Sequence, residues 1–314
     1  MRAVLCLVLA LLAGTALAQT PTGFSFAIVG DAPYNALEEI EFAQELKNID
    51  QEDVAFIVHV GDIKSGRSPC SDALFAQRLQ QFQSVRHPFI YVPGDNEWTD
   101  CHRSGADPLE RLAKLRELFY AGDDSLGRRK LKLERQSADP RFAEYRENVR
   151  WRFGSALFIG LNIPGSNNNL GRTPQMDAEY ARRSAANAAW LADGFELAKK
   201  NGDTALFIVT QADPYFERPF WRPSGAADGY AAFRQELLAH TLAFAKPVIL
   251  IHGDTHRYRV DHPLVDPATQ KPVENFTRIE SFGSPFVDWI KVNVDPAAPK
   301  LLAIKTGTQI KQAR

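Results

Sequence analysis

The chain has 314 residues, 45% of them apolar and 24% charged, a balance that can bury a substantial core. Its formal net charge of -1, with no acidic tail and no long run of like charge, excludes the basic footprint of a nucleic-acid-binding protein.

The first twenty residues, MRAVLCLVLALLAGTALAQT, carry one early cation at Arg2, then an apolar run, then Ala16-Leu17-Ala18. This is the plan of a secretory signal peptide with a small-residue cleavage site, so residues 1–18 are expected to be removed and residues 19–314 to form a single domain. The run is short for a spanning helix, and no later segment is long and apolar enough to cross a bilayer. An exported protein, periplasmic or secreted, with no membrane span is expected. Without Cys6, Cys70 and Cys101 remain in an oxidising compartment, and a disulfide between them is expected. Two buried free thiols are the alternative.

From Phe24 short apolar runs alternate with longer amphipathic ones. Runs at 24–31, 54–62, 88–95, 156–162, 204–213 and 247–254 are rich in β-branched and aromatic residues and bounded by Gly, Pro or Asp, which favours strands. Helices are predicted over 36–49, 71–86, 108–120, 174–200 and 228–245. The fourth has Pro174 near its start and Gly202 just past its end. The stretch 148–162 reads as paired strands about a Gly-Ser turn, and the chain from about 276 as further short strands. The charged, irregular segment 121–147 is expected to be a surface insertion. The pattern fits an α/β protein with two mixed sheets and helices outside better than a doubly wound sheet.

Four apolar runs end alike, at Gly30-Asp31, Gly61-Asp62, Gly94-Asp95 and Gly253-Asp254. One such pair is an ordinary turn or helix cap. Four of them at strand carboxyl ends, which converge on one edge of a layered α/β fold, would place four repelling carboxylates together unless cations hold them. The series resembles the calcineurin-like metallophosphoesterase superfamily, whose blocks read roughly D-x-H, G-D, G-N-H-[DE], H and G-H-x-H. Here they stand as Asp31-Ala32-Pro33, Gly61-Asp62, Gly94-Asp95-Asn96-Glu97, Thr210-Gln211 and Gly253-Asp254-Thr255-His256.

The resemblance implies two face-to-face mixed sheets flanked by helices, in four α/β/β/α layers, with a two-metal centre hydrolysing phosphate esters of small molecules. Carried over, Asp31 and His256 would bind one metal and Asp62 would bridge both. Asp95, Gln211 and Asp254 would bind the second, and Asn96 would take the place of the catalytic histidine. Pro33 replaces one ligating histidine, while Gln211 and Asp254 replace two others. An oxygen-rich set of this kind suits Mg²⁺, Mn²⁺ or Ca²⁺ better than a zinc or iron pair.

Arg103 and Arg257 are the candidate phosphate contacts, with Lys64 and Arg67 as further cations. His102 is the nearest candidate general acid, since Asn96 cannot serve as one. His59, inside an apolar run, reads as a core histidine. His252 shares a side of the extended chain with Asp254 and His256 and is a candidate replacement ligand. Tyr34, Trp98, Tyr215, Phe216, Trp221 and Tyr258 flank the motif ends as pocket candidates. The expected activity is that of an exported metal-dependent phosphoesterase. The alternative is a degenerate member that binds a metal or phosphoanion without turnover. The absence of G-x-S-x-G and G-x-G-x-x-G disfavours a serine hydrolase and a nicotinamide enzyme.

Overall fold

The computed structural model describes residues 23–217 and 225–313, so the signal-peptide segment and Trp221 lie outside the described residues. In chain order the elements are β1 (Phe24–Val29), α1 (Ala36–Asp50), β2 (Ile57–His59), α2 (Asp72–Ser84), β3 (Phe89–Tyr91), α3 (Pro108–Phe119), β4 (Glu134–Arg135), β5 (Val149–Phe153) and β6 (Ala156–Gly160). They continue with α4 (Pro174–Asn201), β7 (Ala205–Val209), α5 (Ala231–Phe244), β8 (Val248–His252), β9 (Arg259–Asp261), β10 (Val265–Asp266), β11 (Lys271–Pro272), β12 (Phe276–Glu280), β13 (Ile290–Val294), β14 (Leu302–Thr306) and α6 (Gly307–Gln312).

Local chemistry sets the helix ends. Asn35, Ser71, Asp107 and Thr173 cap α1 to α4 with side-chain oxygens, and Gly202 closes α4 in the left-handed region at φ 71°.

Strands β14-β13-β1-β2-β3 form one sheet and β4-β5-β6-β7-β8-β12-β9 the other. β1, β2 and β3 run parallel, as do β6, β7, β8 and β12. Alternation along each strand divides the side chains between two faces. Phe26, Ile28, Phe56, Val58, Phe158, Phe207, Ile249 and Ile251 fill the space between the sheets. Ala27, Val29 and Ile57 pack outward on α1 to α3 through Phe42, Phe82 and Leu115. Leu157, Leu206 and Leu250 pack outward on α4 and α5 through Phe195 and Leu237. The architecture is therefore α/β/β/α, as the resemblance implies.

Segment 121–147 is more than a surface insertion. Leu126, Leu133 and Tyr145 are buried, and β4 pairs with β5 at the sheet edge. Two of its charges are also buried: Glu147 accepts from Arg116 Nε at 2.8 Å, and Arg135 lies over the Tyr120 ring.

Candidate metal centre

The parallel strands of both sheets end at one edge, and the residues just beyond them turn sharply. Asp31, Asp62, Asp254 and His256 have φ of 50°, 60°, 78° and 61°, a left-handed conformation rarely held by non-glycine residues unless the surroundings impose it. Glycines make the crowding possible. A methyl on Gly94 would lie 2.1 Å from Asp62 Oδ1, and one on Gly253 would lie 2.0 Å from Asp31 Oδ2.

Asp31, Asp62 and His256 each offer a ligand atom within 4.8 Å of the others. His256 Nδ1 lies 2.7 Å from Ser284 O, so it donates there and leaves the Nε2 lone pair facing Asp31 Oδ1 at 3.9 Å. Asp31 Oδ1 accepts from Asp254 N–H at 3.0 Å, whereas Asp31 Oδ2 is buried with no hydrogen-bond partner. The Tyr34 hydroxyl reaches into the same cluster. It donates to Asp62 Oδ2 at 2.9 Å and lies 3.3 Å from His256 Nε2.

Asn96 anchors Asp62 from both ends. Its backbone N–H donates to Asp62 Oδ1 at 3.0 Å and its amide Nδ2 to Oδ2 at 2.7 Å. Glu97 Oε1 accepts from Tyr91 Oη, Gly94 N–H and Asp62 N–H at 2.7, 2.6 and 3.1 Å, fixing the turns behind both motifs.

Burial raises the pKa of Asp31, Asp62 and Asp254 well above the ordinary carboxylate range. Neighbouring charge adds to this, chiefly from Asp254 at Asp31 and from Asp95 at the other two. A fully buried carboxylate oxygen without a donor, an imidazole lone pair and a second carboxylate, closely cradled by glycines, are groups that can hold a metal ion. The set fits one.

Asp95, Gln211 and Asp254 lie beside this cluster in the company of the polar segment 162–171 that follows β6. Residues Ser166 to Asn169 form a left-handed turn, with φ of 50°, 57°, 56° and 67°. Ser166 Oγ donates to Asp95 Oδ2 at 2.7 Å and also lies 2.8 Å from Asp100 Oδ1. Gly165 N–H donates to Gln211 Oε1 at 2.5 Å, and Gln211 Nε2 to Asp254 Oδ1 at 3.3 Å.

His252 is fully buried and groups with Asp213 and Glu280 instead of the first cluster. Arg259 bridges that group, pairing through Nη2 with Asp213 at 2.8 Å and through Nε with Glu280. Glu280 also accepts from the Thr255 hydroxyl and from Arg257 N–H, so it holds the turn that carries Asp254 and His256.

These groups border an open cavity of about 1090 Å³. Tyr34, Asp62, Asp95, Asn96, Ser166, Asp254 and His256 form its floor, and Arg67, Arg103, Arg257 and Arg259 lie around it. Arg103 is paired with Asp100 at 2.7 Å. Asp100 is pushed up to about 6, first by burial and then by Asp95. Lys64 is buried and donates to Ser65 O and Asn96 O, a structural use. His102 is exposed, with Nδ1 2.9 Å from Thr99 O; its loop lines the cavity through Asp100 and Arg103.

Tyr34 and Tyr215 line the cavity, while Trp98 is core, Phe216 packs tilted against Phe276 and Tyr258 stacks on Phe282. His59 is a core histidine among Phe42, Phe82 and Phe89. Cys70 and Cys101 form a disulfide that ties the loop after Asp62 to the loop after Asp95.

No protein-family model and no curated protein matches the sequence. Solved structures do resemble its fold. One, titled "Structure of PhoD", aligns with a TM-score of 0.57 at 14% identity, over 92% of this chain and 69% of that one. Another is the purple acid phosphatase PPD1 from yellow lupin (Lupinus luteus) seeds, at TM-score 0.50 and 13% identity, over 91% of this chain and 54% of that one. The fold is that of the calcineurin-like metallophosphoesterases. This chain places an oxygen-rich, histidine-poor set of side chains at the strand-end edge of that fold.

Proposed function

We propose that the protein is an exported, divalent-metal-dependent phosphoesterase acting on small phosphate esters. The observation that carries this reading is the cluster of Asp31, Asp62 and His256: Asp62 and His256 line an arginine-flanked cavity, and Asp31 is buried behind them with Oδ2 lacking any donor. Mg²⁺, Mn²⁺ and Ca²⁺ suit its donors. When bound, the cation supplies Lewis-acid polarisation of a phosphoryl oxygen and a lower pKa for water.

The side chains do the rest. Asn96 fixes the Asp62 carboxylate through two hydrogen bonds, a positioning role that needs no proton transfer. Tyr34, whose pKa burial and Asp62 hold far above neutrality, stays a phenol and keeps its donor on Asp62. Arg257 and Arg67 are exposed on the cavity wall, where guanidinium forks match phosphate oxygens. Arg103 offers the same contact from its anchor on Asp100. His102 remains the nearest imidazole on that loop for protonating a leaving group, which requires the loop to turn it toward the cavity. The reading of residues 1–18 as a leader and the Cys70–Cys101 disulfide support export.

The test is hydrolysis of p-nitrophenyl phosphate and bis-p-nitrophenyl phosphate by the purified protein across Mg²⁺, Mn²⁺, Ca²⁺ and Zn²⁺. Metal-dependent turnover abolished by Asp62→Asn, with the unfolding transition retained, is the expected result. Metal binding with no turnover of either ester would identify a binding protein on the same fold.

A further inference from the structure

We infer that the centre takes one cation, held by Asp31, Asp62 and His256, and that the chain's own turn at Gly165–Asn169 fills the half where a second would sit. This rests on the metal-site reading above and departs from the two-metal expectation drawn from the sequence.

Three observations carry it. The first is donor spacing. Among the described residues two groups of three His, Cys, Asp or Glu ligand atoms come within 4.8 Å of one another: Asp31, Asp62 and His256, and the Arg259-bridged Asp213, His252 and Glu280. Asp95 and Asp254 join neither group.

The second is how their oxygens are used. Asp95 Oδ2 accepts from Ser166 Oγ at 2.7 Å, and Gln211 Oε1 accepts from Gly165 N–H at 2.5 Å. Asp254 Oδ1 accepts from Gln211 Nε2 and Oδ2 from Asp213 N–H, both at 3.3 Å. Protein donors thus face Asp95 Oδ2, Gln211 Oε1 and both oxygens of Asp254, whereas Asp31 Oδ2 has none.

The third is space. A methyl on Gly165 would lie 2.5 Å from Asp254 Oδ1 and 2.8 Å from Asp95 Oδ2, so the backbone already presses between the two carboxylates.

The turn is also too well anchored to be pushed aside. Four consecutive left-handed residues cost roughly 1–2 kcal/mol each in an ordinary chain, less for asparagine, and they persist where surrounding structure over-determines them. Arg183, fully buried on α4, donates through Nη1 to Asn168 Oδ1 at 2.6 Å and through Nη2 to Asn168 O at 3.0 Å. Asn169 Nδ2 donates to Glu179 at 2.8 Å and Asn168 Nδ2 to Gly229 O at 2.9 Å. Tyr230 Oη accepts from Asn168 N–H at 3.1 Å while donating to Pro164 O at 2.9 Å. The run of three asparagines, Asn167 to Asn169, suits this backbone, since asparagine tolerates the left-handed region better than other side-chain-bearing residues.

The test is metal counting on the full chain after chelator treatment, by equilibrium dialysis with Mn²⁺ and elemental analysis, with the electron paramagnetic resonance spectrum recorded alongside. One Mn²⁺ per chain with an uncoupled six-line signal is expected. Binding should be lost in Asp31→Asn, whose folding is checked by circular dichroism. As a second arm, Asp95→Asn should still bind one ion with affinity changed by less than about tenfold, the lower bound for losing a group that tunes a site. Two ions per chain, a spin-coupled signal, or loss of binding in Asp95→Asn would overturn the inference and leave the metal-dependent reading standing. No bound ion at all would overturn both.

Discussion

Opening the disulfide between Cys70 and Cys101 should weaken both the fold and the metal site. The cross-link closes a loop with a sequence separation of 31 residues. Loop-closure entropy for that length gives about 3.7 kcal/mol of stabilisation through the unfolded state. Both sulfurs are buried beside Asn96 O, at 3.6 and 3.7 Å, and Arg111 grips Cys70 O at 2.9 Å. The bridge therefore spans the two turns that deliver Asp62 and Asn96, and the unbridged chain has more freedom in just those turns. The assay is urea unfolding of the oxidised protein against the Cys70→Ala/Cys101→Ala pair, with Mn²⁺ affinity measured on each in native buffer. A stability loss of about 3–4 kcal/mol together with weaker metal binding is expected. A loss below about 1 kcal/mol would show that the bridge does not restrain the unfolded chain as the loop-entropy argument requires.

Acid should destabilise the fold through His59, whose burial lowers its pKa from 6.5 to about 3. The unfolded chain then binds a proton that the folded chain refuses, so stability falls as pH drops from about 6.5 toward 3, by up to roughly 5 kcal/mol from this group; His59→Phe should flatten the pH dependence of the urea midpoint in that window. Gly94→Ala places a methyl 2.1 Å from Asp62 Oδ1 and 2.5 Å from Asp62 N, so it should cost about 1–3 kcal/mol of stability and abolish Mn²⁺ binding in the folded fraction. Glu280→Gln turns an amide donor toward groups that themselves donate, from Thr255, Arg257 and Arg259. It should loosen the turn bearing Asp254 and His256, lowering Mn²⁺ affinity about tenfold or more by dialysis.

The layers and the strand-end motifs were legible because they are local. β-branched runs ending in Gly-Asp specify a strand followed by a sharp turn, and Pro174 and Gly202 are written beside the helix they bound. β2 and β3 are shorter than their apolar runs because Val60 and Val92 already belong to the approach to the turns, although they keep backbone bonds to Val29 O and His59 O. Long-range pairing was not legible. Glu280 reaches His252 because β12 runs parallel to β8 in that register, and no feature near residue 280 announces it. The polar loop 162–171 could be read as reaching the site edge, but not the contact of Ser166 with Asp95, because four consecutive left-handed residues contradict ordinary backbone preference. Tyr34 stood three residues past Asp31 and was noted only as a pocket aromatic. The charged segment 121–147 misled because most of its charges do face water, while the few apolar residues spaced among them, Leu126, Leu133 and Tyr145, are buried.

The charge at the floor of the cavity bears on which ester the protein should prefer. Aspartates stand at 95 and 254, where the resembled motifs have asparagine and histidine, so the wall around a single cation keeps more negative character. Ser166 supplies a hydroxyl dipole and Arg103 one guanidinium by way of Asp100, but neither adds a second divalent charge. Two unit charges 5 Å apart interact by about 3 kcal/mol at an effective dielectric constant of 20, so each additional negative charge on the substrate is felt strongly here. A phosphomonoester brings two negative charges at neutral pH and a diester one. The diester should therefore have the higher kcat/KM relative to its uncatalysed rate, and Arg257→Gln should penalise the monoester more. Comparing the two p-nitrophenyl esters with wild type and Arg257→Gln at pH 7.5 measures this. A monoester preference that persists in the variant would show that residual carboxylate charge does not set selectivity in this cavity.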